Sequence, residues 1–260
     1  MGARLWQACR MGSVALQMWT VRDRAKADLG ATLRELKAIG ISTVEAVHGM
    51  GGLGAKEVRV QLEKAGISLC AAHARLPESG RHEDVERLCS EIAELGAPAV
   101  VVSSLREEHF ASDQAVGRAA DKMNAAVTAA ERLGLEFGYH NHWWEFGTTV
   151  GGRPAYEVFV ERLDPRIVLE VDTYWAQVGG VDAADLVGSL GERVRYLHVK
   201  DGPVDRGSPQ CAVGQGRMDV PAVLEANPAV RWFIIELDDF DGDIYDAVRD
   251  SLAYLAPLAQ

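Results

Sequence analysis

The sequence predicts a single-domain (β/α)8 TIM barrel, and three observations lead to this prediction. The first is the length of 260 residues, close to the roughly 250 residues that eight βα units occupy. The second is a repeat in which a helical pattern ends at glycine and a short apolar run follows, at Gly40, Gly66, Gly96 and Gly134. Glycine ends helices in the left-handed conformation, and short apolar runs suit strands buried on both faces. The third is that this helix–strand repeat continues to the end of the chain, with one unit about every 30 residues.

Each predicted strand begins at the start of an apolar run. We expect strands to begin near Val14, Thr43, Ser68, Ala99, Leu135, Ile167, Val194 and Trp232. Amphipathic patterns predict helices over residues 24–39, 55–65, 82–95, 113–133, 155–163, 183–190, 220–226 and 244–256. An open doubly wound sheet is the alternative, but no glycine-rich phosphate turn follows the first strand. Residues 1–12 are expected to form an N-terminal arm, and residues 13–260 the barrel domain.

The composition excludes several classes of function. Lys and Arg number 27 against 38 Asp and Glu, a formal net charge of −11, which opposes binding to a nucleic-acid backbone. No apolar run approaches the roughly 18 residues of a membrane span. The four cysteines lie far apart without a CxxC motif, as expected in a reducing compartment. We therefore expect a cytoplasmic protein without a nucleic-acid or membrane partner; a homo-oligomer is compatible with these features.

Polar residues cluster at the predicted carboxyl ends of the strands, where TIM barrels place their active sites. Four of the seven histidines fall at the ends of strands 3, 5 and 7, namely His73, His140, His142 and His198. Strands 6 and 8 end in carboxylates. Imidazole and carboxylate together suit a borderline divalent cation. The sequence therefore predicts one metal site with the ligands His140, Asp172, His198 and Glu236.

Each predicted ligand also has an alternative interpretation. His140 and His142 alternate along one strand, so one would bind the metal and the other would be its hydrogen-bonding neighbour. Asp172 could instead cap the following helix. His198 could be a core histidine, and the strand 8 carboxylate could form a buried ion pair with Lys200.

The residues at these strand ends also resemble a known family. The segments LQMWTVRD, YHNHWWEF, LEVDTYWAQVGG, YLHVKDG, VGQGRMD and IIELDDF are similar to the xylose isomerase-like TIM barrels, the sugar phosphate isomerase/epimerase family, in its YHNH-type branch. The resemblance runs from about Val14 to Leu255. Members of this family include ketose 3-epimerases, inosose isomerases and dehydratases, hydroxypyruvate isomerases and lyases acting on 3-keto-glycosides.

The resemblance implies one divalent cation, with Mn²⁺ as the first choice and Mg²⁺, Co²⁺, Fe²⁺ or Zn²⁺ also compatible. Asp172, His198 and Glu236 fall on the family's ligand positions. His140 stands where the ketose epimerases have a glutamate, which departs from their two-carboxylate proton transfer. Glu145, five residues further on, resembles a second family glutamate that touches the substrate.

The implied activity is isomerisation or epimerisation of a sugar, sugar phosphate or inosose through an enediolate. Either Glu236 or His142 would remove the proton next to the carbonyl. Lys200 would stabilise the oxyanion or form a structural ion pair. The predicted substrate-binding residues are His73, Trp19, Trp175 and, for a phosphate, Arg217.

Other outcomes share the same intermediate. A metal-dependent lyase or dehydratase acting on a keto sugar, 3-keto-glycoside or inosose is the first alternative. A non-enzymatic sugar-binding or subunit protein on a retained barrel is the second. An abasic-site endonuclease of the same superfamily would need a basic surface for DNA, which the net charge of −11 opposes.

Overall fold

The computed structural model describes residues 12–259, and they form the predicted barrel. Eight parallel strands close in sequential order, so that the first strand pairs with both the second and the eighth. The strands are β1 (Ser13–Gln17), β2 (Thr43–Val47), β3 (Ser68–Ala74), β4 (Ala99–Val102), β5 (Glu136–His140), β6 (Val168–Asp172), β7 (Val194–Val199) and β8 (Trp232–Ile235). Residues 1–11 of the predicted N-terminal arm lie outside the described residues.

Helices cover the outside of the barrel between the strands. They are α1 (Arg22–Ala27), α2 (Leu29–Ile39), α3 (Ala55–Ala65), α4 (His82–Leu95), α5 (Asp113–Arg132), α6 (Trp144–Gly147), α7 (Ala155–Arg162), α8 (Thr173–Val178), α9 (Ala183–Leu190), α10 (Val220–Glu225) and α11 (Ile244–Leu255). Within residues 12–259, no helix has both the length and the apolar character needed to cross a membrane.

The helices differ from the sequence prediction in two respects. The helix predicted over residues 24–39 is split at Asp28, whose backbone is extended and whose side chain accepts a hydrogen bond from the Ala31 N–H, 2.8 Å away. Asp28 is thus the N-cap of α2, a role that aspartate favours. The short helices α6 and α8 were not predicted, because each is a single turn or slightly more in the loop after its strand.

The glycine repeat has the predicted structural role. Gly40, Gly66 and Gly96 end α2, α3 and α4 with φ of 115°, 63° and 88°, in the left-handed region. A side chain with a Cβ is strained at such φ values, so the glycines allow the chain to turn directly into the next strand.

The interior of the barrel is divided into an apolar end and a polar end. A cluster of buried apolar residues, separate from the packing between strands and helices, fills the interior toward the amino ends of the strands. It includes Ala15, Ala71, Val101, Val168, Tyr196 and Ile234. Side chains two positions further along a strand point to the same face. The inward positions that follow are Gln17, His73, Glu170, His198 and Glu236. The strands therefore project polar groups toward their carboxyl ends.

Candidate active site

A cavity of about 630 Å³ opens at the carboxyl ends of the strands. One side is aromatic and is formed by His142, Trp143, Trp144 and Trp175. The side formed by residues that follow β2, β3 and β4 is more polar and includes His48, Arg75, Ser103 and Ser104. The floor of the cavity contains His140, Lys200 and Glu236. The cavity is thus in the predicted place and is large enough for a small polar molecule with an apolar face.

The four predicted metal ligands lie close together, and two of them, His140 and Glu236, line the cavity floor. The nitrogen or oxygen atoms that His140, Asp172, His198 and Glu236 can offer are all within 4.8 Å of one another, and all four residues are buried. They come from β5, β6, β7 and the residue that follows β8. The barrel register produces this convergence, because Asp172 pairs with His198 and Ile235 with Val199 across neighbouring strands.

Asp172 has the helix-capping role that the sequence left open as an alternative, and its second oxygen faces the site. Its Oδ1 accepts a hydrogen bond from the Trp175 N–H, 2.8 Å away, and so caps α8. Its Oδ2 faces the site, 2.8 Å from Lys200 Nζ and 3.7 Å from His140 Nε2. Burial raises the pKa of Asp172 to about 6, although Lys200 and His198 act against this shift. One carboxylate oxygen therefore caps the next helix, and the other lies among the predicted ligands.

Lys200 lies among three carboxylates. Its Nζ is 2.8 Å from Asp172 Oδ2, 2.7 Å from Glu236 Oε2 and 2.6 Å from Asp238 Oδ2. Burial alone would lower the pKa of Lys200, but these three negative charges raise it well above its ordinary value. The structure thus contains the ion pair proposed as the alternative role of Glu236, with the ammonium group also lining the cavity.

The site contains more buried carboxylate than cation. Glu45, Glu170, Asp172 and Glu236 are each at most 4 % exposed. Lys200 contacts two of them. Burial and the charge of Glu170 raise the pKa of Glu45 to about 7. An uncompensated buried charge is costly, so the donor set of two imidazoles and two carboxylates fits a divalent cation.

His142 and Glu145 differ in their relation to the cavity. The His142 ring lines the cavity and stacks on Trp144, with centroids 4.3 Å apart and planes 12° from parallel. Its Nδ1 has no hydrogen-bond partner among residues 12–259. Burial lowers the pKa of His142 to about 3, so the ring is neutral at physiological pH.

Glu145 does not line the cavity, which differs from its predicted contact with substrate. Because α6 begins at Trp144, the Glu145 side chain turns back and accepts hydrogen bonds from Tyr139 OH at 2.7 Å and the His142 N–H at 3.0 Å. Burial raises the pKa of Glu145 to about 8. The structure places this carboxyl group behind His142, as a support for the chain that carries the imidazole.

Three of the four predicted substrate-binding residues line the cavity, namely His73, Trp19 and Trp175. Arg217 does not, and its side chain is exposed. The reason is the buried Asp201 carboxylate, which folds the loop after β7 back on itself by accepting hydrogen bonds from the backbone N–H groups of Gly202, Gly214, Gly216 and Met218. Arg75, on the polar side of the cavity, lies in its lining instead.

Several residues of this region had no role assigned from the sequence. Asp238 contacts Lys200, and Trp143 and Trp144 form part of the aromatic side. Glu45 and Glu170 lie one layer below the predicted ligands. The alternation of strand side chains contained a signal for Glu170, since it lies two residues before Asp172 and points to the same face.

The comparisons with known proteins agree with this architecture. The chain matches the xylose isomerase-like TIM barrel family over residues 33–259. It is 28 % identical over 254 residues to the 2-epi-5-epi-valiolone 7-phosphate 2-epimerase of Actinoplanes sp. (strain SE50/110), covering 90 % of this chain and 89 % of the relative. An inosose dehydratase of Geobacillus kaustophilus is 33 % identical over 82 residues, 31 % of this chain and 26 % of that protein.

Solved structures share the fold at lower identity. A sugar phosphate isomerase/epimerase from Parabacteroides distasonis has a TM-score of 0.82 at 22 % identity, covering 95 % of this chain and 99 % of that one. The IolI protein, solved with a bound zinc atom, has a TM-score of 0.67 at 13 % identity, covering 95 % and 97 %. The relative named as an epimerase supports an enzyme of the same kind. Because the family match spans most of its length, the chain belongs to the xylose isomerase-like TIM barrel family.

Proposed function

We propose that the protein is a divalent-metal-dependent isomerase or epimerase of a sugar, a sugar phosphate or an inosose. The observation that carries this proposal is the convergence of His140, Asp172, His198 and Glu236, of which His140 and Glu236 line the floor of the cavity. The epimerase and dehydratase names of the relatives support a polyhydroxylated ring as substrate.

The aromatic side of the cavity supports the same substrate class. The ring centroid of Trp143 lies 4.8 Å from that of Trp144 and 4.7 Å from that of Trp175, with planes 81° and 58° apart, so the three indoles pack against one another at steep angles. An indole in this cluster would pack against the C–H face of a sugar ring, while the sugar hydroxyl groups turn to the polar side. A phosphate group on the substrate would meet Arg75, in the role predicted for Arg217.

His140, Asp172, His198 and Glu236 would hold the cation. When bound, the cation would act as a Lewis acid and polarise the substrate carbonyl group. Two groups of the chain are then placed to move the proton next to that carbonyl, the carboxylate of Glu236 and the neutral imidazole of His142. They follow β8 and β5, which lie three strands apart around the barrel. Return of the proton from the other side inverts the carbon centre, which is epimerisation.

Solvent exchange tests this proposal across a whole class of substrates at once. Chelator-treated protein with added Mn²⁺ or Mg²⁺ is incubated in D₂O with a panel of ketoses, ketose phosphates and inososes, and ¹H NMR follows deuterium entry next to the carbonyl. We expect metal-dependent exchange with at least one class. His142→Gln, at a position outside the ligand set, should retain metal and lose inversion.

The product distinguishes the competing reactions. An exchanged epimer or isomer supports the proposal, whereas a dehydrated or cleaved product would assign the lyase or dehydratase reaction. Exchange with none of the substrates, in a protein that binds no cation, would contradict the proposal and favour a binding protein.

A further inference from the structure

Glu45 and Glu170 lie directly beneath the candidate ligands and have no role in the function proposed above. Both are 0 % exposed, and neither lines the cavity. They belong to β2 and β6, and each has one oxygen, Oε1, without a hydrogen-bond partner among residues 12–259. Their other oxygens, Oε2, meet the imidazoles of the site. Because they cannot reach a substrate in the cavity, any effect on the reaction must pass through those imidazoles.

His198 is held by both of its ring nitrogens. Its Nε2 is 2.7 Å from Glu45 Oε2, and its Nδ1 is 2.6 Å from Glu236 Oε2. A neutral imidazole carries one proton. If the proton is on Nε2 and is donated to Glu45, the lone pair of Nδ1 faces the ligand set.

His140 has the opposite arrangement. Its Nδ1 is 3.1 Å from Glu170 Oε2, and its Nε2 faces Asp172 Oδ2 at 3.7 Å. A proton on Nδ1, donated to Glu170, leaves the lone pair of Nε2 directed to the ligand set. Glu170 Oε2 also lies 2.5 Å from His73 Nε2 and 3.3 Å from His198 Nε2, so one carboxylate oxygen meets three rings.

Gln17 fixes Glu45 as a hydrogen-bond acceptor. The Trp19 N–H donates to Gln17 Oε1 at 3.0 Å, which orients the amide and turns its Nε2 toward Glu45 Oε2, 2.6 Å away. An amide nitrogen can only donate. Glu45 Oε2 therefore accepts from Gln17, which favours the same role toward His198.

We propose that Glu45 and Glu170 are positioning residues that select opposite tautomers of the two imidazole ligands. Glu45 keeps the proton of His198 on Nε2 and presents Nδ1 to the cation, and Glu170 keeps the proton of His140 on Nδ1 and presents Nε2. The inference rests on the proposed metal-dependent function. Carboxylates that orient ligand histidines in this way commonly change metal affinity by about 10- to 100-fold when they are replaced.

Two measurements on the full-length protein test the inference. The first is the tautomeric state, read from ¹H–¹⁵N multiple-bond spectra of the histidine rings in the Zn²⁺-loaded wild-type protein. We expect one histidine bound to zinc through Nδ1 and another bound through Nε2. Two histidines that both bind through the same type of nitrogen would overturn the inference. This measurement needs no variant, so it remains decisive where a substitution prevents folding.

The second measurement is metal affinity, from titration calorimetry of chelator-treated protein with Mn²⁺ or Zn²⁺. Glu45→Gln and Glu170→Gln should each weaken the Kd about 10- to 100-fold, with one cation bound per chain. Glu136→Gln is the matched control, because Glu136 bonds Tyr196 OH at the amino-terminal end of β5, far from the ligands. Its Kd should equal that of the wild type.

The outcomes separate this inference from the proposed function. A wild type that binds one cation, with both glutamine variants unchanged in Kd, overturns the inference and leaves the proposed function standing. Two cations per wild-type chain would make Glu45 and Glu170 metal ligands and would also overturn it. Absence of metal binding by the wild type would overturn the inference and the proposed metal dependence together.

Discussion

Lys200 Nζ lies 2.8 Å from Asp172 Oδ2, so a protein cation contacts the same carboxylate oxygen that the proposed metal would bind. Lys200 also lies 2.7 Å from Glu236 Oε2. The ammonium group and the proposed divalent cation would therefore share two carboxylates. This arrangement would link the stability of the barrel to the occupancy of its site, because removal of either cation would leave buried negative charge behind.

Replacing Lys200 by methionine tests this link. In chelator-treated protein, Lys200→Met should lower the free energy of unfolding by roughly 3–5 kcal/mol, since buried carboxylates lose their partner. Added Mn²⁺ should then raise the Tm of the variant more than that of the wild type. Thermal unfolding with and without metal measures both effects; equal stability of the two metal-free proteins would contradict the link.

Asp172→Asn separates the capping role from the ligand role. Asparagine is as good an N-cap as aspartate, so α8 should keep its structure, and the circular dichroism spectrum should be unchanged. The loss of the charged oxygen should weaken metal binding at least about 100-fold, or ~2.7 kcal/mol. Asp172→Ala is the comparison, because it removes the cap as well and should be less stable by a further ~1 kcal/mol. An Asn variant with wild-type metal affinity would remove Asp172 from the ligand set.

Glu145 should make metal-free stability depend on pH. Burial raises its pKa from 4.5 to about 8 in the folded protein. The unfolded state therefore loses this proton first, and the stability contributed below pH 4.5 is lost as the pH rises toward 8. Urea unfolding at pH values from about 5 to 8 should show a shallower decline for Glu145→Gln, by up to ~1.4 kcal/mol per pH unit. Parallel curves for the two proteins would show that Glu145 does not titrate in this range.

Arg75 should distinguish phosphorylated from unphosphorylated substrates. Arg75→Ala is expected to raise the KM for a phosphorylated substrate roughly tenfold, or ~1.4 kcal/mol, with little change for its unphosphorylated form. Arg217→Ala is the matched control, since Arg217 does not line the cavity. Steady-state kinetics on the substrate found by deuterium exchange provides the measurement. A larger effect in the Arg217 variant would restore the role predicted from the sequence.

The repeated glycines and the strand-end register were sufficient to predict the barrel and the convergence of His140, Asp172, His198 and Glu236. Both are consequences of period-two alternation and fixed strand order, which a sequence displays directly. The positions of Glu145 and Arg217 could not be predicted in this way. They depend on where a short helix starts after β5 and on the folding of a loop around Asp201, and both are decided by individual hydrogen bonds.

The hydrogen bonds beneath the site could not be predicted from the sequence for a similar reason. Glu45 and Glu170 were visible as polar residues in strands, but their contacts with His198 and His140 join residues 153 and 30 positions apart in the sequence. Only closure of the barrel brings Glu45 on β2 next to the imidazole of His198 on β7.

The proposed metal site is tested most directly by the metal content of protein purified without chelator, measured by inductively coupled plasma mass spectrometry beside Asp172→Asn. We expect about one divalent cation per wild-type chain, Mn, Mg, Co, Fe or Zn, and a large loss in the variant. Wild-type protein without metal, even after incubation with excess cation and dialysis, would contradict the proposed metal site.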